Sequence, residues 1–544
     1  MAFQVDSVRI AHFGADQGER VVQMVVARIA GVLWIASFAV ASVSAQEPTP
    51  IRSTMPFEPA PASVVFSVTF SPDGKQVAIA CEDKSVALHE WPMGTHVAQL
   101  KGHKARVWKA AWSPDGALLA SCSGDYFTPT EPGELKIWDL KTHTEKASLE
   151  GHKGIVYDVI FSPDGKTLYS ASYDGTIKMW NVADFKEKST LEGHEGPVRS
   201  LTFTPDGATL ASTGFDGSVR FWDAQTGKHL RTFEKLHPVG VQCVAFTPCG
   251  RFMATTGAPA GGREAEYEVA LSDVQSGKEL FRVGRTLGPI LSIHFSEDGR
   301  LLATGGGNYQ LGSDVKVLEM ASGKPRAILE GHKEWVEQVR FSPDGMALVS
   351  AGGFTQGAPG EVRLWLLSDL AGERGAERAP ADPDELWKAL AGDDTSAAYA
   401  AILRLIASPE VAVPLLADRL QPVARADAER IARLIADLDA DDFKVRESAA
   451  SDLAALGELA TEALQRALDD PPSEEVRQRA EQILRSTSPI SPVSGEPLRA
   501  LRAIEVLEKI GTPEARQILQ ALAQGEPRAR VTRDAAAALE RLGR

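Results

Sequence analysis

The sequence predicts a multidomain β + α protein, in which a seven-bladed β-propeller is followed by an α-helical solenoid. The first observation is a Ser/Thr-Pro-Asp-Gly turn, or a close variant, whose third residues are 42, 49, 42, 43, 49 and 46 positions apart. This spacing is the period of a four-stranded propeller blade. The second observation is that strand-like alternation stops near Ala371, and the third is that a helical pattern recurs after it. The seven turns begin at Ser71, Ser113, Ser162, Thr204, Thr247, Ser296 and Ser342.

Each propeller unit, between residues 64 and 371, is predicted to contain four strands, a to d. Strand a runs into the Pro-Asp-Gly turn, where proline presets φ and glycine tolerates a positive φ, so the chain reverses into strand b. Apolar and polar residues alternate along the strands, as expected of sheets stacked around an axis. In the fourth unit the predicted strands are 198–203, 209–213, 218–223 and 228–233.

Two dipeptides recur at fixed places in these units. Gly-His precedes four of them, at 102–103, 151–152, 193–194 and 331–332. Trp-Asp ends strand c at 138–139 and 222–223, and Trp-Asn at 180–181 and Trp-Leu at 365–366 take its place. These motifs resemble the WD-repeat (WD40) family. The resemblance implies a buried hydrogen-bond network in each blade that runs from histidine through serine and aspartate to tryptophan. The residues assigned to it are His103, Trp138, His152, Asp174, Trp180, His194, Ser212, Asp216, Trp222, His332 and Trp365.

A Ser/His/Asp set also suits a hydrolase, but the repetition argues against that interpretation. Nucleophilic catalysis needs one exposed serine beside one base and an oxyanion site. Here the same trio recurs in blade after blade, as expected of a structural network. We therefore predict no catalytic residues.

Several blades depart from the pattern, and the departures locate a candidate binding face. Tryptophan is replaced by His89 in blade one, Ser272 in blade five and Leu318 in blade six, and blades five and six lack Gly-His. The b–c connection is long in blades two, five, six and seven. Aromatic residues on loops over a rigid scaffold are typical of binding sites, although loop tips also tolerate insertions. The candidate partner-binding residues are Tyr126, Phe127, Tyr267, Tyr309 and Phe354.

The ends of the propeller are predicted to close the ring. No clear strand d follows Trp365, and the free extended segment is the Pro-rich stretch 46–63. We expect this stretch to supply the outer strand of blade seven, because prolines at 56, 59 and 61 are tolerable only on an edge strand.

A polar linker, 372–383, leads to a helical domain predicted over 384–544. The pattern Val-x-x-x-Ala-x-x-x-Leu recurs there, which places apolar side chains on one stripe of each helix. Residues 442–446, Asp-Phe-Lys-Val-Arg, resemble the opening of HEAT-like repeats. Helices with a single apolar stripe must stack to be stable, and a solenoid presents a concave surface. The charged runs are interpreted either as a solvated face or as the rim of a partner groove.

The N-terminus is interpreted as a signal peptide spanning 1–45. Arg28 precedes an uncharged apolar run, and small residues follow up to Ala45, where cleavage is expected. Met24 would start a better signal than Met1. The expected location is therefore the periplasm or cell envelope, with an uncleaved membrane anchor as the alternative. We expect no other membrane span.

Composition and the remaining residues exclude several kinds of site. A net charge of −15 argues against nucleic acid as a partner. No cofactor motif and no histidine/carboxylate group at metal-ligand spacing is found, so neither a cofactor nor a metal is expected. His294, on a strand a, is interpreted as a filler of the channel. Whether Cys81 pairs with Cys122, or Cys243 with Cys249, is left open.

These observations favour a non-enzymatic protein–protein interaction scaffold, exported to the cell envelope, that binds other proteins through the propeller loop face and the helical groove. The alternative is a propeller that binds a cofactor or ligand in its central channel and has an enzymatic or regulatory role.

Overall fold

The computed structural model describes residues 51–52, 55–56, 63–258, 266–286, 288–308, 312–353, 360–368, 382–424, 427–469, 471–486 and 491–543. Seven four-stranded antiparallel units form a propeller, as the sequence predicts. The seven strands a contact one another in a closed ring around the axis.

The strands fall into blades in chain order. Blade one contains β3 (Val65–Phe70), β4 (Gln76–Cys81), β5 (Ser85–Glu90) and β6 (His96–Lys101); blade two contains β7 (Val107–Trp112), β8 (Leu118–Ser123), β9 (Leu135–Asp139) and β10 (Thr144–Leu149). Blade three contains β11 (Val156–Phe161), β12 (Thr167–Ser172), β13 (Ile177–Asn181) and β14 (Glu187–Leu191); blade four contains β15 (Val198–Phe203), β16 (Thr209–Gly214), β17 (Val219–Asp223) and β18 (His229–Phe233). Blade five contains β19 (Val239–Phe246), β20 (Phe252–Ala258), β21 (Tyr267–Asp273) and β22 (Glu279–Thr286); blade six contains β23 (Ile290–Phe295), β24 (Leu301–Asn308), β25 (Gly312–Glu319) and β26 (Lys324–Glu330); blade seven contains β27 (Val336–Phe341), β28 (Ala347–Gly352) and β29 (Glu361–Leu366).

The repeated turn both reverses the chain and joins neighbouring blades. In blade three, Ser162 Oγ donates to Asp164 Oδ1 at 2.6 Å and accepts from the Thr167 N–H at 2.9 Å. Gly165 has φ +70°, which favours glycine, and a Cβ built there would lie 3.6 Å from Pro114 of the preceding turn. The proline of each turn therefore packs against the next glycine. In blade six Glu297 replaces the proline, and a Cβ at Gly345 would meet nothing within 4 Å.

The N-terminal stretch closes the ring with two short strands. β2 (Met55–Pro56) pairs antiparallel with β29, so the outer strand of blade seven comes from the stretch predicted to supply it. β1 (Ile51–Arg52) pairs in parallel with β26 and adds a fifth strand to blade six, which the sequence did not predict. The rest of 46–62 lies outside the described residues.

Ten helices follow in the described part of the chain. They are α1 (Pro383–Leu390), α2 (Thr395–Ala407), α3 (Pro409–Arg419), α4 (Ala428–Asp437), α5 (Phe443–Leu456), α6 (Thr461–Asp469), α7 (Glu474–Ser486), α8 (Gly495–Ile510), α9 (Pro513–Ala523) and α10 (Arg530–Gly543). Most of the linker predicted over 372–383 lies outside the described residues.

The predicted helical region is confirmed, but its helices do not pack only in chain order. α1–α3 pack against α8–α10, and this first helical group shares one hydrophobic core with blades six and seven. The intervening helices α4–α7 form a second helical group with a core of their own, which includes Ile431, Leu453 and Val476. The apolar stripe predicted on α5 is only partly correct, because Ala449 and Leu453 are buried whereas Val445 is 39% exposed.

The first helical group is fixed to blade six by buried ion pairs. Glu319 at the end of β25 accepts from Arg326 on β26 at 2.9 Å and from Arg502 on α8 at 2.7 Å. Arg326 also donates to both oxygens of Glu505 on α8, at 2.9 and 3.0 Å. Burial raises the pKa of Glu319, but Arg326 and Arg502 outweigh burial and lower it to about 2. The four side chains therefore stay charged and neutralise one another.

A search of the described helices for membrane-spanning segments finds no single helix of sufficient length and apolarity. Helices α2 and α3 taken together are long and apolar enough by length and composition, with an angle of 113° between them.

Candidate functional site

Blade four contains a continuous hydrogen-bond network between strands a to c. Trp222 Nε1 donates to Ser212 Oγ at 2.9 Å, Ser212 Oγ lies 2.8 Å from His194 Nε2, and His194 Nδ1 lies 2.9 Å from Asp216 Oδ2. Since the Asp216 carboxylate can only accept, we assign the proton to His194 Nδ1; Nε2 then accepts from the serine hydroxyl, which accepts from the indole. Burial raises the pKa of Asp216, but the hydrogen bonds from His194 and Ser218 and the charge of His194 together outweigh burial and lower it.

Blade three repeats this arrangement with the corresponding residues. Trp180 Nε1 donates to Ser170 Oγ at 2.9 Å, and His152 bridges Ser170 at 2.8 Å and Asp174 at 3.0 Å. The glycine before the histidine, Gly151, has φ +150°, and a Cβ there would lie 3.2 Å from a Glu187 carboxylate oxygen and 3.4 Å from the Trp180 ring. This crowding explains why the dipeptide is Gly-His.

Blades two and seven retain the network with a glutamate as its carboxylate. The b–c loop of blade seven has no aspartate, and Asp125 of blade two accepts from the Phe127 N–H at 3.0 Å instead. In blade seven, Trp365 Nε1 donates to Ser350 Oγ at 2.7 Å, His332 Nε2 lies 2.6 Å from that oxygen, and His332 Nδ1 lies 3.1 Å from Glu361 Oε2. The corresponding residues of blade two are His103, Ser121, Trp138 and Glu134. Sequence reasoning missed both glutamates. Their signal is a Gly-Glu dipeptide at the start of strand c, at 133–134 and 360–361.

Blade five also has a histidine that sequence reasoning missed. His237 Nε2 lies 3.0 Å from Thr255 Oγ1, which occupies the place of the serine, although Leu236 rather than glycine precedes the histidine. In blade one, His89 replaces the tryptophan and its Nδ1 lies 2.9 Å from the Gly94 carbonyl oxygen. In blade six, Leu318 packs into an apolar core that blades five and six share.

The networks have the geometry of structural cross-links and not of catalytic triads. The side chains of His152, His194 and His332 are 1–2% exposed, and Ser170 and Ser212 are fully buried. A serine in this position already donates to histidine and accepts from tryptophan, and no substrate reaches it.

The five predicted loop aromatics have different outcomes. Tyr126 and Phe127, on the b–c loop of blade two, are 62% and 73% exposed and lie edge to face at 6.1 Å. Tyr267 was predicted on a loop, but it begins β21 and packs half-buried against the core of blade five. The predictions for Tyr309 and Phe354 fall outside the described residues.

A second set of residues, which sequence reasoning did not single out, surrounds the end of the channel next to Tyr126 and Phe127. Each directly follows the first buried aliphatic residue of its strand a, and we call the set the channel mouth. Aromatic rings follow one another around its first three blades: Phe66 and Trp108 at 4.7 Å, then Trp108 and Tyr157 at 5.6 Å. Trp108 Nε1 donates to the Gly124 carbonyl at 3.0 Å, which ties the mouth to the b–c loop of blade two. The channel mouth comprises Phe66, Trp108, Tyr157, Arg199, Gln242, Leu291 and Glu337.

Two arginines lie over these rings. The Arg199 guanidinium is 5.2 Å from the centre of Tyr157 and 6.0 Å from that of Trp108. The Arg106 guanidinium is 6.0 Å from Phe66 and 5.5 Å from Phe127, and its nearest carboxylate oxygen, on Glu82, is 3.7 Å away. Such cation–π contacts hold a guanidinium in place while leaving its N–H edge available.

Polar side chains below the mouth join neighbouring strands a. Lys109 forms an ion pair with Asp158 at 2.7 Å, and Asp158 accepts from the Leu201 N–H at 2.9 Å. Gln338 accepts from the Val68 N–H at 2.8 Å and so links blades seven and one. These contacts make the channel wall a rigid support for the mouth.

His294 and the cysteines offer no reactive group in this wall. His294 Nδ1 accepts from the Phe341 N–H at 3.2 Å, and burial, with a smaller effect of Arg340, lowers its pKa to about 3, so the imidazole stays neutral. All four cysteines are free, which answers the question of pairing left open by the sequence. Burial raises the pKa values of Cys81, Cys122 and Cys243. The described residues contain no cluster of three potential metal ligands.

Comparison with known proteins agrees with this architecture. The family model described as "WD domain, G-beta repeat" matches residues 54–90, 94–139, 143–181, 185–223 and 323–365. Similar proteins include WD repeat-containing protein 1 of Bos taurus, 35% identical over 83 residues, or 15% of this chain and 12% of that protein. Another is the periodic tryptophan protein 2 homolog of Caenorhabditis elegans, 27% identical over 116 residues, or 21% of this chain and 12% of that protein. A third is the probable cytosolic iron-sulfur protein assembly protein CIAO1 homolog of Ixodes scapularis, 40% identical over 45 residues, or 8% and 12%.

The chain spans about an eighth of the length of these relatives, 12% in each case, so the similarity concerns the repeats. The five matched segments leave out 224–322, which holds blade five and most of blade six, where serine and leucine replace tryptophan. The repeat motifs, the buried networks and the seven-bladed ring thus agree: this chain carries WD40 repeats, and they form a seven-bladed WD40 propeller followed by a helical region.

Proposed function

We propose that this protein is a non-enzymatic scaffold that binds other proteins through the channel mouth and the adjoining b–c loop of blade two. The observation that carries the proposal is the cluster of Tyr126, Phe127, Trp108, Arg106 and Arg199 on a rigid wall. Aromatic and arginine side chains dominate the energetics of protein interfaces, and a preorganised support lowers the entropic cost of binding. The WD40 repeats of this chain and its similarity to a WD repeat-containing protein support the same class of function.

The second helical group provides a second candidate surface, as the sequence analysis proposed. A groove between α4 and α6 is lined by apolar residues, with Arg466 at its edge. Phe443, at the start of α5, is 60% exposed. An apolar groove with a charged edge suits an amphipathic segment of a partner. The apolar lining includes Ile431, Ile435, Leu459, Ala463 and Ala467.

The interaction proposal is tested by crosslinking. Full-length protein with a photo-crosslinker at position 126 is irradiated in an extract of its source cells, and crosslinked proteins are identified by mass spectrometry. The same partner should be lost when Phe127 and Trp108 are changed to alanine. The matched control is Met346→Ala, which removes an apolar side chain that is 69% exposed on the turn between strands a and b of blade seven. A crosslinking pattern that is the same in both variants would contradict the proposal.

We also propose that the protein is exported to the cell envelope. The support is the run of apolar residues after Arg28 and the small residues that end at Ala45. Cell fractionation should place the protein in the envelope or periplasm, and N-terminal sequencing of the mature form should begin at Gln46. A protein found only in the cytoplasm with residues 24–45 intact would contradict export, and an envelope protein with the same intact N-terminus would support the membrane-anchor alternative.

A further inference from the structure

Arg199 is held in place by aromatic rings and forms no hydrogen bond or ion pair with any described residue. Its guanidinium lies over Tyr157 and Trp108, and its charge lowers the pKa of Glu337 at longer range. The side chain is only partly exposed, so some of its hydration is lost without a hydrogen bond to replace it. A guanidinium in this state offers its remaining N–H donors to a ligand, and a carboxylate accepts two of them in parallel.

In other arginines of this chain the guanidinium donates hydrogen bonds to carboxylate or carbonyl oxygens. Arg326 and Arg502 each donate to carboxylates at 2.7–3.0 Å, and Arg541 binds both oxygens of Glu508. Arg231 on β18 also stacks on two rings, at 4.5 and 5.2 Å, yet it donates to the Gln275 carbonyl oxygen. Arg199 differs because both of its contacts are with ring faces, at the channel mouth.

The charge of the mouth indicates what kind of ligand would complete it. Arg106 and Arg199 flank the aromatic rings of blades one to three, in a chain whose net charge is −15. Lys109 and Asp158 beneath them neutralise each other. Glu337, on blade seven, is the acidic residue of the mouth; burial raises its pKa to about 7, and the charge of Arg199 opposes that rise. Arg106 is already paired with Glu82 at 3.7 Å. The positive charge that is left for a ligand is therefore that of Arg199, with Glu337 as the opposing carboxyl.

The same features argue against nucleic acid as the ligand. Proteins that bind single strands stack bases on free aromatic faces and neutralise many phosphates. Here Arg199 lies over Trp108 and Tyr157, and Arg106 lies over Phe66 and Phe127. The strongly negative chain would repel a polyanion, whereas a single carboxylate needs only the local arginines.

We infer that the channel mouth recognises an acidic peptide segment of the partner. A carboxylate of that segment binds Arg199, and an apolar side chain next to it packs on Tyr126 and Phe127. This inference rests on the proposed function, since it assigns the chemistry of the segment that the same surface binds. Two residues of the mouth then have opposite effects: Arg199 attracts the segment and Glu337 weakens its binding.

The test starts from a phage library of random dodecapeptides selected on the full-length protein. Peptides that bind the wild type but not the double variant Trp108→Ala/Phe127→Ala are sequenced and then synthesised with a fluorescent label. Enrichment of Asp and Glu beside apolar residues is the expected result. Enrichment of Lys and Arg would overturn the acidic assignment and leave the proposed function intact. A library that yields no peptide dependent on Trp108 and Phe127 would count against the proposed function itself.

Fluorescence polarisation with the best acidic peptide then measures the dissociation constant for single variants. Arg199→Gln should weaken binding about tenfold or more, the usual effect of losing a charge-assisted hydrogen-bonded pair. Above pH 7, where the Glu337 carboxyl is mostly ionised, Glu337→Gln should strengthen binding. Arg231→Gln, which removes an arginine stacked in the same way elsewhere, should leave it unchanged. Replacing the acidic residues of the peptide by their amides should reproduce the loss seen with Arg199→Gln.

Two results would overturn the inference at this stage. One is equal weakening by Arg199→Gln and Arg231→Gln, with the melting temperatures of both variants unchanged, because the effect would then not be specific to the mouth. The other is a labelled single-stranded RNA that binds as tightly as the peptide and depends on Arg199 in the same way, which would make nucleic acid the ligand.

Discussion

At the scale of single residues, the hydrogen-bond networks of blades two, three, four and seven all place a carboxylate at the same point beside the histidine. Blades three and four supply it with an aspartate in the b–c turn, Asp174 and Asp216. In blades two and seven the b–c connection is a long loop, and a glutamate at the start of strand c, Glu134 or Glu361, reaches the histidine. The backbone N–H after the histidine also donates to this carboxylate, at 2.8 Å from Lys153 and 3.1 Å from Lys333.

This equivalence predicts a pH-dependent effect of Glu361→Gln. Burial raises the pKa of Glu361, but the hydrogen bonds and charges of His332 and Arg363 together outweigh burial and lower it from 4.5 to about 2. A carboxyl with a lowered pKa in the folded state stabilises the protein above its unfolded pKa, and the contribution disappears as the pH falls from about 4.5 to about 2. At neutral pH the variant should lose ~1–2 kcal/mol of unfolding free energy, since the charge-assisted hydrogen bonds are lost.

Urea unfolding at a series of pH values checks this expectation. The difference between wild type and Glu361→Gln should shrink steadily as the pH falls below about 4.5. Glu330→Gln is the control, because its side chain is exposed, and it should change the free energy of unfolding little at any pH. A difference for Glu361→Gln that stays constant down to acidic pH would show that its charge does not contribute.

The buried charges between blade six and α8 give a second prediction. Glu505 is 9% exposed and both of its oxygens accept from Arg326, whereas Glu496 on the same helix is 74% exposed and pairs with Arg499. Glu505→Gln should destabilise the protein by about 3–5 kcal/mol, because it leaves two buried guanidinium groups, those of Arg326 and Arg502, with the single carboxylate of Glu319. Glu496→Gln should cost less than about 0.5 kcal/mol. Thermal unfolding measures the loss of stability in both variants. If both lose equally little, water replaces the hydrogen bonds that Arg326 makes with Glu505.

At the scale of elements, the closure of the propeller depends on strands that are only two residues long. β2 covers the edge of blade seven and β1 covers the edge of blade six. An uncovered edge strand exposes a row of unpaired N–H and carbonyl groups, which costs stability and promotes aggregation. Proline at position 56 fits this place, since an edge strand needs hydrogen bonds on one side only.

Two truncations separate the contributions of these strands. Removing residues 46–63 should lower the melting temperature markedly and increase aggregation, because both edges lose their partner. Removing only residues 46–53 takes away β1 and keeps β2, so it should cost less. Differential scanning calorimetry and light scattering measure both effects. If the longer truncation melts like the full protein, the two strands do not contribute to closure.

At the scale of the whole molecule, the described helices divide between two cores, an extended core shared with blades six and seven and a smaller core. Blades six and seven share buried residues with α1–α3 and α8–α10, and Tyr399 on α2 donates to the Leu367 carbonyl oxygen at 2.8 Å. The second helical group, α4–α7, has its own core. Arg533 pairs with Glu458 at 2.8 Å, and Arg528 pairs with Glu462, between this group and the last part of the chain.

Because its core is separate, the second helical group should be removable. Replacing residues 427–486 by a flexible Gly/Ser linker of about 15 residues should leave the propeller and the first helical group folded. We expect the melting temperature of the remaining protein to fall by no more than a few degrees, and its near-ultraviolet circular dichroism to persist. Collapse of the tertiary signal would mean that the second helical group belongs to the extended core.

The propeller was predictable because its information is local and repeated. A turn such as Ser162–Gly165 is set by the φ preferences of proline and glycine and by a hydrogen bond two residues along the chain. Seven copies at the blade period then leave little choice of architecture, and the same repetition identified most of the histidine networks. The paired edge at blade seven also followed from local chemistry, the absence of a strand d and the prolines before blade one.

Contacts between distant segments decided the rest. Glu361 reaches His332 across a long loop, Arg199 meets rings from two other blades, and Arg326 pairs with Glu505 far along the chain. Each of these positions looks like an ordinary charged residue in sequence, because the pattern of a strand or helix does not record which distant side chain it will face. The repeating turns therefore determined that this chain forms a propeller, whereas the arrangement of its channel mouth and the docking of its helices were decided only by tertiary packing.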